Sequence, residues 1–214
     1  MAVISIIGCA GVGKSTLVRQ LAALNRAPAF FEGEEGVFPE VVTKNLVTAD
    51  PVARERWFVQ QYLASLRSAR HIASLGVTSF VDNASPITIA SYAAIAEHEV
   101  HVELEALIAE LARHAADVTV VLTAEPHVLA AYIAKRGRVS EEVVSISKQA
   151  ERVQEQFVRF AEQYGAMVLD RTGLDLQNEV DLWEMDARIK NCIQEKIDNT
   201  SILRSMEVLS NDDV

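Results

Sequence analysis

The chain has 214 residues, half of them hydrophobic, and its formal net charge is -10. One domain of this length can bury about 70% of its unfolded surface. The acidic balance argues against a general nucleic-acid-binding or membrane-binding face, because both need a basic surface, but it allows a phosphorylated small molecule that needs only a local positive site.

Short apolar segments alternate with longer helical patterns along the chain. We predict strands at residues 2–7, 27–31, 77–81, 118–123 and 166–169. We predict helices at residues 14–24, 51–75, 86–115, 126–135, 145–164 and 178–197. This alternation is typical of an α/β fold whose parallel sheet is covered by helices on both faces. We expect one domain over residues 1–197 and a disordered C-terminal tail over residues 198–214.

The segment "GCAGVGKST" fits the pattern G-x-x-x-x-G-K-[ST]. It follows a predicted buried strand and precedes a predicted helix, which is the context that a phosphate-binding loop (P-loop) requires. Lys14 is expected to reach the β- and γ-phosphates, and Ser15 can ligate Mg²⁺. The predicted nucleotide-binding residues are Gly8, Gly11, Gly13, Lys14, Ser15 and Thr16. The alternative is a chance match in a glycine turn, and both flanks argue against it.

Other motifs narrow the class of P-loop protein. There is no N-K-x-D guanine motif, and the D-x-x-G pattern at Asp170 follows the last predicted strand, where a GTPase switch would not lie. The chain is also too short for a motor ATPase. Two classes of P-loop protein remain. One is an enzyme that transfers a phosphoryl group to a small acceptor, and the other is a regulatory protein that binds a nucleotide.

Two acidic positions are candidates for aligning an attacking hydroxyl or for holding a metal. Asp82 ends the apolar run "VTSFVD", at the carboxyl end of a predicted central strand, where open α/β sheets bind ligands. The alternative for Asp82 is a helix N-cap before Pro86. Spacing alone leaves the role of Glu40, in "VFPEVV", open. We interpret the neighbouring acids as solvated loop charges: Glu32, Glu34 and Glu35.

Two arginines flank a glycine in "AKRGRVSEE", after the fourth predicted strand. Adjacent guanidiniums repel each other unless an anion lies between them. Arg136 and Arg138 are therefore candidates for a lid that closes over the γ-phosphate, with Gly137 as the bend. The alternative is a solvated basic helix end, which the helix dipole favours.

The order of these motifs resembles that of the deoxyribonucleoside kinase family and, more loosely, that of the thymidylate kinases, over roughly residues 2–197. Besides the P-loop, "FPEVV" looks like the segment of the catalytic glutamate, "WFVQQYLASLR" like the base-recognising helix, and "KRGRVSEE" like the lid. "LDRTGLDL" is similar to the loop that borders the adenine of ATP. The resemblance implies a P-loop kinase fold with a five-stranded parallel sheet and a lid at about residues 135–145.

The resemblance implies roles for the catalytic positions. Glu40 is the implied general base on the sugar 5′-hydroxyl. Arg136 and Arg138 would hold the phosphates, and Glu141 would bond the sugar 3′-hydroxyl. We expect Asp82 to contact Mg²⁺ or its water shell on the substrate side of the P-loop.

The resemblance also implies binding residues. Gln60 would pair with the nucleobase edge, with Tyr62 and Arg67 on the same helix, and Asp175 would lie in the loop beside the adenine. The alternatives are an exposed polar residue for Gln60, helix packing for Tyr62 and a surface cation for Arg67.

Three positions depart from the family pattern. Asn83 stands where the family has an arginine after the acid that ends the third strand. Thr88 stands a turn later, at the family's arginine-bearing acidic position for base and hydroxyl recognition. Tyr132 stands where the family has an additional lid arginine, four residues before Arg136. The residues expected to bind the phosphate donor are therefore intact, whereas the residues expected to recognise the acceptor differ from the family pattern.

We expect a kinase that uses ATP and Mg²⁺ to phosphorylate a deoxynucleoside. The alternatives are a kinase of a nucleoside monophosphate or modified nucleotide and a non-catalytic nucleotide-binding regulatory protein. We expect a small-molecule acceptor, neither a nucleic-acid nor a membrane partner, and, from the resemblance, a homodimer. Cys9 and Cys192 have no metal-ligand spacing, which favours reduced cysteines in a cytoplasmic protein.

Overall fold

The computed structural model describes residues 1–32, 51–95, 98–136 and 143–211. In these ranges the strands are β1 (Val3–Ile7), β2 (Ala29–Phe30), β3 (Ser79–Asp82), β4 (Val118–Thr123) and β5 (Met167–Asp170). The helices are α1 (Lys14–Asn25), α2 (Pro51–Ser74), α3 (Pro86–Ala93), α4 (His98–Ala112), α5 (Pro126–Arg136), α6 (Val143–Tyr164) and α7 (Glu179–Asn211).

The five strands form one parallel sheet in the order β2-β3-β1-β4-β5. Every residue of β1 is buried, as expected for the central strand of a sheet covered on both faces. β1 has β3 on one side and β4 on the other, so its carboxyl end lies at a topological switch point, where such sheets bind ligands. The predicted fold class is confirmed.

The hydrophobic core lies in two layers, one on each face of the sheet. Alternate strand residues point to opposite faces, and accordingly Ile4 and Val3 belong to different layers. The layer of Ile4 includes side chains from α1, α6 and α7: Leu17, Leu21, Phe157, Met185 and Ile189. The layer of Val3 includes side chains from α2, α3 and α4: Leu66, Ile89, Leu104 and Leu111.

The predicted helix over residues 86–115 is wrong as one element, because the chain forms α3 and α4 with a turn at Ala94 and Ile95. No glycine or proline stands at this break. In α3 every residue except Tyr92 is buried, and Leu104 and Leu111 of α4 pack with Leu66 of α2. We attribute the break to this tertiary packing rather than to a local stop signal.

The last helix extends further than its sequence predicts. α7 ends at Asn211, not near residue 197, so residues 198–211 are helical rather than a disordered tail. This segment contains neither glycine nor proline, so no residue in it ends the helix. Residues 212–214 lie outside the described ranges.

Candidate active site

The P-loop curls between the end of β1 and the start of α1. Gly13 is the N-cap of α1, with φ 95° in the left-handed region that favours glycine. The Lys14 ammonium donates to the carbonyl oxygen of Cys9 at 3.0 Å, so the lysine folds back over the loop. The helix N-terminus and this ammonium together place positive charge at the loop, where it can bind an anion.

Close packing also requires glycine in this loop. A Cβ atom at Gly13 would lie 2.7 Å from both Arg171 Nη1 and Leu176 Cδ1. A Cβ atom at Gly11 would lie 2.6 Å from Ile133 of α5. The P-loop therefore packs tightly between α5 and the loop that follows β5. The loop after β5 is the segment predicted to border the adenine.

Asp82 ends β3 beside the P-loop, as its position in the sequence predicts. Its carboxylate is buried, and its Oδ2 accepts a hydrogen bond from Ser15 Oγ at 2.6 Å. A hydroxyl and a carboxylate are the oxygen ligands that Mg²⁺ takes in P-loop proteins, and Mg²⁺ keeps several of its waters. The pair fits a magnesium ion bound between α1 and β3.

A second polar cluster lies immediately beyond Asp82. Tyr62 on α2 donates to Glu32 Oε1 at 2.5 Å, and Asn83 Nδ2 donates to the same oxygen at 3.0 Å. Asn83 Nδ2 also lies 3.1 Å from the Tyr62 hydroxyl oxygen, which accepts from it. We call Glu32, Tyr62 and Asn83 the acceptor cluster. The interpretation of Glu32 as a solvated loop charge is wrong, because its carboxylate binds two buried side chains.

The backbone at Asn83 explains how the acceptor cluster is held. Asn83 has φ 61°, a left-handed conformation that asparagine tolerates better than most residues. Thr88 Oγ1 donates to the Asn83 carbonyl oxygen at 2.8 Å. Asn83 and Thr88, the two departures from the family pattern on this side, are thus bonded to each other and fix Glu32 and Tyr62.

Tyr62 is a neutral hydrogen-bond donor in this environment. Burial raises the pKa of its phenol well above the usual value, and the neighbouring negative charge and hydrogen bond of Glu32 raise it further. The hydroxyl therefore keeps its proton throughout the physiological pH range and continues to orient Glu32.

The donor side of the site includes a buried arginine. Arg171 directly follows β5 and donates to the Val12 carbonyl oxygen of the P-loop at 3.1 Å. Its guanidinium carbon lies 4.4 Å from the centroid of the Tyr132 ring. The Asp175 carboxylate accepts from the backbone N–H of Gln177 at 2.9 Å, which closes the turn in this loop.

The family can now be assigned. Residues 3–174 match the family described as an AAA domain, which is most of the chain. The chain belongs to the AAA domain family. No curated protein matches its sequence.

The fold of this AAA domain protein is that of the P-loop nucleoside and nucleotide kinases. The deoxyadenosine kinase from M. mycoides with bound dATP has a TM-score of 0.63 at 14% identity, over 88% of this chain and 99% of that chain. The thymidylate kinase from Candida albicans has a TM-score of 0.57 at 17% identity, over 89% and 93%. A NadR protein in complex with NR has a TM-score of 0.58 at 16% identity, over 90% of this chain and 49% of that chain, so this chain spans about half of its length.

Two predicted recognition residues of the AAA domain protein lie on the exposed side of α2. Gln60 is exposed, on a different face of the helix from buried Tyr62. Arg67 is 61% exposed, and its guanidinium lies 3.9 Å from Glu110 of α4. The contact with Glu110 favours the surface-cation alternative for Arg67, and base recognition by Gln60 stays a prediction.

The remaining predicted residues of the AAA domain protein lie at the end of a described range or outside the described residues. Arg136 is the last residue of α5. Glu40, Arg138 and Glu141 lie outside the described residues. In the described part of the chain, no helix combines the length and apolarity that crossing a bilayer needs.

Sequence reasoning missed Glu32 and Arg171. Glu32 follows a two-residue strand, and the rule that ligands bind at the carboxyl ends of parallel strands is a signal that identifies it. Arg171 in "LDRTG" follows β5 and carries the same strand-end signal, but only the fold places its side chain behind the P-loop.

Proposed function

We propose that this protein transfers the γ-phosphate of ATP to the 5′-hydroxyl of a deoxynucleoside. The observation that carries the proposal is the pair of neighbours Asp82 and Asn83. Asp82 bonds Ser15 on the phosphate side, and Asn83 bonds Glu32 and Tyr62 on the other side. A phosphate-binding loop and a polar acceptor cluster therefore meet at one strand end, as phosphoryl transfer requires.

The P-loop is the proposed donor site. Its glycines, Lys14, Ser15 and Thr16 bind the triphosphate, and Asp175 lies in the loop beside the adenine. Mg²⁺ at Ser15 and Asp82 would neutralise charge on the phosphates when bound.

Two carboxylates are candidates for orienting and deprotonating the 5′-hydroxyl. The sequence motif proposes Glu40. The geometry supports Glu32, which follows β2 and is held by Tyr62 and Asn83 next to Asp82. Two neutral donors on Oε1 fix the carboxylate without neutralising its charge.

Other roles follow from the resemblance alone. Arg136 and Arg138 clamp the transferred phosphoryl group, and Glu141 bonds the sugar 3′-hydroxyl. Gln60 pairs with the base. A homodimer is proposed on the same ground, whereas a cytoplasmic location is proposed from the two cysteines, Cys9 and Cys192.

A nucleoside monophosphate is the second candidate acceptor, supported by the likeness to the fold of thymidylate kinase. The charges described near the acceptor cluster favour an uncharged nucleoside instead. Glu32 lies beside Tyr62, buried Glu55 adds to the negative potential there, and Asp82 is adjacent in the chain. A phosphorylated acceptor would be repelled by these carboxylates unless cations elsewhere offset them.

The test is transfer of labelled γ-phosphate from Mg-ATP to a panel of deoxynucleosides, ribonucleosides and their monophosphates. Labelled deoxynucleoside monophosphate is the expected product. If labelled nucleoside diphosphate is the only product, the acceptor is a nucleoside monophosphate. If no transfer depends on an acceptor, the protein is a regulatory nucleotide-binding protein. The Lys14→Ala variant is the control for contaminating kinases.

A further inference from the structure

The Arg171 side chain is fully enclosed behind the P-loop. It is 2% exposed, donates from Nη1 to the Val12 carbonyl oxygen at 3.1 Å, and donates from Nη2 to the Leu174 carbonyl oxygen at 3.4 Å. The Tyr132 ring of α5 covers the guanidinium at 4.4 Å. One side chain thus contacts the P-loop, the loop after β5 and α5.

The described residues compensate the charge of Arg171 only in part. Its partners among the described residues are two neutral carbonyl groups and an aromatic face, and its buried Nε has no hydrogen-bond partner there. A buried cation without a carboxylate costs stability, because carbonyls and a ring do not replace full hydration. A buried guanidinium that has no carboxylate partner among the described residues, and that lies against the P-loop, can stabilise an anionic ligand there.

The contact with Val12 also fixes a peptide plane. Every described peptide bond is trans, and in a trans peptide the C=O and the following N–H point in opposite directions. Because Arg171 holds the carbonyl of Val12, the N–H of Gly13 must point away from Arg171. Gly13 is the N-cap of α1, so this N–H belongs to the group that binds anions at a helix start.

We propose that Arg171 is a positioning residue for the donor phosphates. It holds the Val12–Gly13 peptide in the phosphate-binding orientation and supplies a fixed positive charge behind it, with Tyr132 keeping the guanidinium in place. The inference rests on the proposed function only in requiring a phosphate-bearing donor at the P-loop.

The test is the Arg171→Met variant, with calorimetric titration of Mg-ATP and of inorganic tripolyphosphate. Loss of a charged hydrogen bond and its field is expected to raise Kd for both ligands about 10- to 100-fold. The unliganded melting temperature is expected to stay the same or rise, because an apolar side chain replaces a poorly compensated buried charge. The matched control is Arg159→Met, since Arg159 is an exposed arginine 5.8 Å from the Phe160 ring on α6. Its Kd values should equal those of the wild type.

Unchanged Kd values in Arg171→Met would overturn the proposal. If the melting temperature without ligand also falls, Arg171 has a purely structural role. If Arg171→Met does not fold, Tyr132→Leu tests the same claim, because Tyr132 is 38% exposed and its truncation is expected to leave the fold intact. Loss of the ring is expected to weaken tripolyphosphate binding about 2- to 30-fold. Tripolyphosphate has no base, so stacking of a base on Tyr132 cannot explain the loss, and unchanged tripolyphosphate affinity would overturn the proposal.

The failures of the two proposals are distinguishable. A wild-type protein that binds neither ATP nor tripolyphosphate would overturn the donor site and with it the role of Arg171. A wild-type protein that binds both, with Arg171→Met binding equally well, would overturn only the role of Arg171.

Discussion

At the scale of single residues, Asp82 and Asn83 contact the two opposite sides of the site. They are adjacent in the chain, yet Asp82 contacts the P-loop through Ser15, whereas Asn83 turns through a left-handed conformation towards Glu32 and Tyr62. The sequence predicts the position of Asp82, because an acid at the end of an apolar run lies at a strand end. It does not predict the acceptor cluster as a whole, because the strand-end rule points to Glu32 but only the fold brings Tyr62 of α2 over it.

Lys14→Ala tests the donor site. Lys14 is the only P-loop side chain with a fixed positive charge, and its ammonium already lies over the loop. We expect transfer to fall at least about 10²- to 10³-fold, the usual effect of losing one aimed charge or donor. Circular dichroism should show an unchanged fold. Near-wild-type turnover at saturating ATP would refute the assignment.

Glu32→Gln and Glu40→Gln separate the two candidate bases. Removal of a general base costs about 10² to 10⁴ in kcat, and the isosteric amide should leave acceptor KM nearly unchanged. The geometry predicts the large loss for Glu32→Gln, and the sequence motif predicts it for Glu40→Gln. Steady-state kinetics of both variants identify the base, and unaltered kcat in both would exclude each of them.

Cys9 should be an inert thiol. Burial raises its pKa to about 11, partly offset by the charge of Lys14. A raised pKa means less thiolate at a given pH, so about one thiol in a thousand is reactive at pH 8. Mass spectrometry after iodoacetamide treatment should find half-buried Cys192 labelled. Cys9 should stay unlabelled until the pH approaches the pKa of its thiol. Rapid labelling of Cys9 at pH 8 in the folded protein would contradict its burial.

At the scale of elements, the sequence predicts some boundaries exactly and misses others. Residues 118–123 form β4 as predicted, because five of these six residues are β-branched and Asp117 precedes them. Pro51, Pro86 and Pro126 each begin a helix, as proline at the first helical position favours. The break between α3 and α4 has no such local signal, because packing against α2 decides it.

The last residue of α5 and the segment that follows it carry the proposed phosphate clamp. Arg136→Lys and Arg138→Lys keep the charge but lose the planar fork that binds two phosphate oxygens. We expect kcat losses of about 10³ to 10⁵ and little change in ATP affinity. Pre-steady-state kinetics and ATP titration measure the two effects separately. Wild-type rates for both variants, together with equal trypsin sensitivity with and without a bisubstrate analogue, would make this segment a solvated helix end.

At the scale of the whole molecule, the sheet order places every described part of the site at one edge. β1 leads into the P-loop, β2 into Glu32, β3 into Asp82 and β5 into Arg171. The acidic net charge of -10 is compatible with an anionic ligand because Lys14 and Arg171 supply a local positive charge at the P-loop. The whole arrangement predicts an enzyme whose ATP turnover depends on a hydroxyl at one position of the acceptor.

The most direct measurement is the rate of ADP release from Mg-ATP with a mixture of deoxynucleosides, with the matching 5′-deoxy analogues, and without any acceptor. The account predicts rapid release with the deoxynucleosides and only background release with the analogues, which keep the base and the 3′-hydroxyl but lack the 5′-hydroxyl. Equal release in all three reactions, or none in any, would contradict it.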